Sequence, residues 1–141
     1  MARILLSDDD ADVLNMMAAI LTKVGHTVTT SSSGLDTLRK LGINPRDASI
    51  EPPDLIIFDV MMPHMDGYTV GRLIRDNPRT HAIPMVVVSG MRELSRLFTA
   101  TVQVDGFLYK PFAPEEFIAC VEKTLKRFQP ASSEERSWPK K

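Results

Sequence analysis

One cysteine, Cys120, stands in the 141 residues, so no internal disulfide can form. A basic excess is lacking too: 17 Lys and Arg against 18 Asp and Glu give a net charge of −1, with no electrostatic footprint for nucleic acid. No apolar run reaches the length of a membrane span. The start, Met-Ala-Arg-Ile-Leu-Leu-Ser-Asp, lacks the longer apolar region and small-residue cleavage site of a signal peptide, so a cytoplasmic location is the default expectation. Internal repeats are missing as well. What remains is ordinary for one soluble globular domain: 43% hydrophobic and 25% charged residues.

Apolar runs alternate with amphipathic segments along the chain. Residues 3–7, 26–30, 55–58, 85–88 and 106–109 read as strands. Between them, helical spacing groups Val13, Met17, Ile20, Leu21 and Val24 on one inward face, with Gly25 as the stop. Ser33 caps a second helix carrying Leu35, Leu38 and Leu41. Asp66 caps a third, with Val70, Leu73 and Ile74 inward and its end near Asn77-Pro78. Leu94, Leu97 and Phe98 suggest a fourth, although the β-branched stretch 99–105 lowers helix propensity behind it. The fifth starts at Pro114 and lines Phe117, Cys120, Val121, Leu125 and Phe128 along one side. Ala113 lacks a side-chain acceptor where a cap belongs, which should weaken that start by about 1 kcal/mol. Five βα units predict an α/β fold: a doubly wound, five-stranded parallel sheet with five helices. The strand order 2-1-3-4-5 is borrowed from flavodoxin-like sheets rather than read from these residues. Residues 43–53, polar and rich in proline, do not fit compact packing. Residues 1–128 form the domain, and 129–141 read as a flexible tail or linker stub.

Asp59 ends the apolar run Leu55-Ile56-Ile57-Phe58, and Ser7-Asp8-Asp9-Asp10 follows Ile4-Leu5-Leu6. Open α/β sheets bind ligands at the carboxyl ends of their strands. If the first and third strands are neighbours, several carboxylates crowd one rim. Two unit charges about 4 Å apart repel by roughly 1 kcal/mol in water and roughly 4 at an intermediate dielectric. Such a rim calls for a divalent cation. Taken singly, these residues have plainer readings. Acidic residues after strands are commonly solvated turns or caps, Asp10 and Asp12 read as early-helix charges, and Phe107 reads as a core aromatic. His26, His64 and His81 read as scattered surface residues, and Cys120 as inert core.

Four signals occur together and in order: Asp8-Asp9 after the first strand, Asp59 in Asp-Val-Met-Met-Pro-His-Met-Asp-Gly, Ser89 after the fourth, and Lys110-Pro111-Phe112 after the fifth. On these the chain resembles the receiver domain of two-component response regulators, of which the chemotaxis regulators are examples. The resemblance spans roughly residues 2–128. It implies a phosphoacceptor switch, not an enzyme in its own right, that takes a phosphoryl group onto Asp59 from a sensor histidine kinase or a phosphotransfer protein. It implies Mg2+ held by Asp9, Asp59 and the backbone carbonyl of Met61, with Asp8 acting through water. Lys110 and Ser89 would contact phosphoryl oxygens, and Ser89 with Phe107 would form the switch that alters binding to a downstream protein. No membrane or direct nucleic-acid partner is implied. Met61 and Met91 stand two residues after Asp59 and Ser89, and neither can orient an attacking water, so a long-lived phosphorylated state is expected. The alternatives are a haloacid-dehalogenase-type phosphatase with its nucleophile after the first strand, a flavodoxin-like electron carrier, and a degenerate scaffold. The first lacks the expected Gly and Thr after Asp8-Asp9-Asp10 and leaves Asp59 unexplained.

Overall fold

The computed structural model describes residues 2–59, 67–90 and 102–128. In chain order the elements are β1 (Arg3–Ser7), α1 (Ala11–Lys23), β2 (Thr27–Ser31), α2 (Gly34–Lys40), β3 (Leu55–Asp59), α3 (Gly67–Asp76), β4 (Met85–Ser89), β5 (Gly106–Tyr109) and α4 (Pro114–Phe128). All five strands pair in parallel, in the order β2-β1-β3-β4-β5. The expected helix around residues 94–98, the Asp66 cap and the tail 129–141 lie outside the described residues.

The central strands β1, β3 and β4 are buried on both faces, and strand parity sorts their side chains. Leu5, Ile56, Phe58, Met85 and Val87 meet Leu38, Leu41, Val70 and Ile74 on one side. Ile4, Leu6, Leu55, Ile57, Val86 and Val88 meet Leu14, Met17, Leu21, Phe117 and Val121 on the other.

Three helical faces are rotated from the expected ones. In α1 the buried residues are Leu14, Met17 and Leu21; the helix ends at Lys23, which leaves Val24 beyond the stripe and 42% exposed. In α2 the buried positions are Gly34, Thr37, Leu38 and Leu41, at spacings of three, four and seven. Leu35 therefore falls about 100° off that stripe and is 51% exposed. Leu73 of α3 is likewise 37% exposed, while Val70 and Ile74 are fully buried.

Both α1 and α2 end in the Schellman pattern. After α1, Gly25 (φ 104°) donates to the Thr22 carbonyl and His26 to Leu21. After α2, Gly42 (φ 75°) donates to Arg39 and Ile43 to Leu38. A Cβ at Gly42 would lie 2.5 Å from the Asp47 carbonyl oxygen. We therefore expect Gly42→Ala to cost about 2 kcal/mol or more, from left-handed strain plus a backbone clash. Urea denaturation reads this directly, and an unchanged midpoint would contradict it.

Three further expectations need correction. The 43–53 segment is largely exposed, yet it is tied to the domain: the Arg79 guanidinium donates to the carbonyls of Asp47 and Ile50, and Arg3 donates to those of Glu51 and Pro52. His26 is buried rather than on the surface, because its ring bridges two elements. Nδ1 accepts the Ala2 amide at 3.1 Å, which leaves the proton on Nε2 to donate to Glu122 at 2.9 Å. The Ala113 position is not left bare either: its N–H donates to Glu116 Oε1 at 2.7 Å, one half of a capping box. His81 is exposed as expected, and His64 lies outside the described residues.

Candidate phosphoacceptor site

The strand order sets β1 beside β3, so the chain leaving Ser7 and the end of β3 share one rim. Asp10 caps α1, its carboxylate accepting the amides of Asp12 and Val13 at 3.0 and 3.2 Å. That cap turns the chain sharply after β1. Asp8 is held by its backbone and both carboxylate oxygens: its N–H donates to the Ser31 carbonyl at 3.1 Å, Oδ1 accepts the Asp10 amide at 2.9 Å, and Oδ2 accepts Lys110 Nζ at 2.9 Å.

Asp8, Asp9 and Asp59 each bring one carboxylate oxygen into a cluster whose atoms all lie within 4.8 Å of one another. Asp8 and Asp59 are buried and Asp9 is exposed, so the cluster opens to solvent on one side. Lys110 Nζ bonds Asp8 Oδ2 and Asp59 Oδ2, both at 2.9 Å. Burial works against the Lys110 charge, but the hydrogen bonds and charges of Asp8 and Asp59 outweigh it and hold the ammonium above the ordinary lysine range. Lys110 offsets one of the three negative charges.

Ser89 closes β4 and is fully buried. It lies opposite Tyr109 in the β4–β5 register, and its carbonyl accepts the Lys110 amide at 2.9 Å. Phe107 sits two residues earlier on β5, half-buried against the core and stacked on Tyr109 with ring centroids 5.9 Å apart. A cavity of about 440 Å³ lies beside this strand, lined in part by Gly90, Phe107, Tyr109, Lys110 and Glu116. Met61 lies outside the described residues. The structure thus brings together Asp8, Asp9, Asp59 and Lys110, with Ser89 on the neighbouring strand tip.

The family model for the response regulator receiver domain matches residues 4–122. The chain belongs to this family. A receiver is a phosphoacceptor switch in phosphorelay signalling rather than a true enzyme, and it is served by a histidine kinase. The phosphatase and flavodoxin alternatives fall away with that match. Among curated relatives, the chain is 31% identical over 130 residues to the alkaline phosphatase synthesis transcriptional regulatory protein PhoP of Bacillus subtilis, covering 92% of this chain and 51% of that protein. It spans about half the length of the curated relatives it matches. Among solved structures, the chemotaxis response regulator CheY4 of Vibrio cholerae aligns with TM-score 0.75 at 26% identity, over 88% of this chain and 98% of that one. The receiver domain of a sensor histidine kinase from Pseudomonas aeruginosa PAO1, solved with a magnesium ion coordinated in its active-site cleft, aligns with TM-score 0.76 at 23% identity, over 89% of this chain and 98% of that one; at that identity it speaks for the fold.

A second feature of this rim was not expected from the sequence. Ser7, Ser31 and Thr37 are buried together, with Ser7 Oγ and Ser31 Oγ each 2.9 Å from Thr37 Oγ1 and also in contact with each other. The available signal was a serine at each of two neighbouring strand ends, with a threonine one helical turn beyond the Ser33 cap. Cys120 is half-buried, and burial pushes its thiol up, which suppresses the reactive thiolate.

Proposed function

We propose that this receiver works as a Mg2+-dependent acceptor whose nucleophile is Asp59, taking its phosphoryl group from a sensor histidine kinase or a phosphotransfer protein and thereby changing its affinity for a downstream protein. The observation that carries the proposal is the three-carboxylate cluster with Lys110 bonded across two of its members. An all-oxygen donor set, anionic beyond what Lys110 offsets, suits a hard divalent cation. Asp9, Asp59 and the Met61 carbonyl would hold that cation, with Asp8 acting through water. When bound, the cation neutralises charge on the incoming phosphoryl group.

The protein's own groups do the rest. Asp59 attacks as the carboxylate. Lys110 transfers its bonds from Asp8 and Asp59 to a phosphoryl oxygen, acting as a point charge. The Ser89 hydroxyl donates to a second oxygen. Ser89 and Phe107 then respond together as the switch, biasing an equilibrium that already exists. Moving such an equilibrium from about 1:99 to 99:1 takes roughly 5.5 kcal/mol of differential stabilisation. The receiver proposed here comprises residues 1–128.

Incubation with acetyl phosphate and Mg2+, followed by intact mass, tests the proposal. One added phosphoryl group is expected with Mg2+ and none with EDTA; no gain with Mg2+ would overturn it. The same sample tests the expected long lifetime that follows from Met61 and Met91. Decay of the phosphorylated mass within a few seconds of removing the donor would contradict that expectation.

A further inference from the structure

Adjoining Asp8 through the chain sits the hydroxyl triangle of Ser7, Ser31 and Thr37, each member no more than 2% exposed. It ties together the ends of β1 and β2 and the first turn of α2. Ser7 precedes Asp8 and faces Ser31 in the β1–β2 register, while the Ser31 carbonyl takes the Asp8 amide. On its other side Ser7 is in register with Phe58, whose successor is Asp59.

The protons can be counted. Thr37 Oγ1 donates to the Ser33 carbonyl at 2.7 Å, so it enters the triangle as an acceptor. Ser7 and Ser31 hold the two remaining hydroxyl protons. One bonds the other serine and one bonds Thr37, in either sense of circulation, and no hydroxyl proton is stranded. Apolar side chains in the same space would fill it without fixing direction, since apolar burial is non-directional. Hydroxyl bonds fix both distance and angle between the strand tips.

We propose that Ser7, Ser31 and Thr37 are positioning residues for Asp8: the triangle locks the β1 and β2 tips so that the carboxylate cluster is pre-set for its cation. This rests on the cation-holding reading of the pocket given above. Outer-shell groups that orient ligands contribute about 10- to 100-fold to metal affinity. Thr37→Val keeps the shape but leaves Ser7 and Ser31 with one shared contact for two protons. Thr37→Ser keeps the acceptor.

The test is calorimetric titration of the 141-residue chain with Mg2+, alongside urea denaturation of each variant. Thr37→Val should weaken Mg2+ binding about 10-fold, and Thr37→Ser should restore it. Thr80→Val is the control for plain destabilisation. That hydroxyl is also fully buried and donates to the Ile74 carbonyl at 2.6 Å, but in the turn before β4, at the opposite end of the sheet. It should lose stability and keep its Mg2+ affinity. If Thr37→Val binds Mg2+ as the parent does, or if Thr80→Val weakens binding equally, the positioning role is wrong. If the parent chain itself binds no Mg2+, the cation reading of the pocket fails first. Should Thr37→Val not fold, Ser31→Ala serves as the second variant, and unchanged Mg2+ affinity there would reject the proposal equally.

Discussion

Asp59→Asn should gain no phosphoryl group from acetyl phosphate and Mg2+ while retaining the native fold. The amide offers no anionic oxygen to attack phosphorus. The fold should survive for an electrostatic reason. Asp59 shares a 4.8 Å cluster with Asp8 and Asp9, so neutralising it removes like-charge repulsion as well as one bond from Lys110. Repulsion of roughly 1 to 4 kcal/mol per close pair is of the same order as the attraction given up. Lys110 keeps its bond to Asp8 in the variant. Intact mass and a denaturation curve are the two readouts. A phosphoryl group still acquired by Asp59→Asn would move the nucleophile elsewhere, with Asp8 the first position to check.

Arg75→Ala should cost about 3–5 kcal/mol, the largest loss expected from any ion pair among the described residues. Arg75 Nε donates to the Gln103 carbonyl at 3.0 Å, and Nη1 donates to the His81 and Ile83 carbonyls at 2.9 and 2.7 Å. Its Nη2 meets Asp105 Oδ2 at 3.2 Å, an oxygen that also accepts the Met85 amide at 2.9 Å. The two side chains are 13% and 7% exposed. Burial pulls the guanidinium below its ordinary range and the Asp105 charge partly restores it. Truncation would strand the buried Asp105 carboxylate and the part-buried Ile83 carbonyl, whereas the Gln103 and His81 carbonyls lie where water can replace the lost donor. Arg75→Lys should rescue little, because a point charge cannot span the same fork of acceptors. The comparison is Arg72→Ala, whose partner Asp76 lies 3.7 Å away with both side chains well exposed, and which should change stability by less than about 1 kcal/mol. Urea midpoints at constant slope decide the matter. A loss at Arg75 no larger than at Arg72 would refute the buried-clamp argument.

The strands were legible because their signal is local. Arg3–Ser7 and Gly106–Tyr109 stand where the apolar runs place them, and Asp59 and Lys110 follow from being the first polar residues past such runs. The helical faces were less legible. Val24 and Leu35 satisfy an approximate spacing, but the stripe is fixed by where each helix starts and stops, and α2 is a mere seven residues long. Long-range polar partners left no local trace. His26 can be buried because Glu122, ninety-six positions away, accepts a hydrogen bond from its ring. The exposed 43–53 segment is tied down because Arg3 and Arg79 reach it from distant parts of the chain. Ser7, Ser31 and Thr37 looked like unremarkable turn and cap residues until the parallel register set the first two side by side.

β3 contributes Leu55 and Ile57 to one core cluster and Ile56 and Phe58 to the other, and hydrogen-bonds to β1 and β4 along its two edges. β3 is thus gripped from four directions, and Asp59, the proposed acceptor, sits at its end. On the proposed assignment of Asp59, a phosphoryl donor meets an acceptor held in place by these sheet and core contacts. Substitutions on the donor's surface should therefore change transfer rates mainly through encounter, leaving little for rearrangement of the acceptor strand to govern.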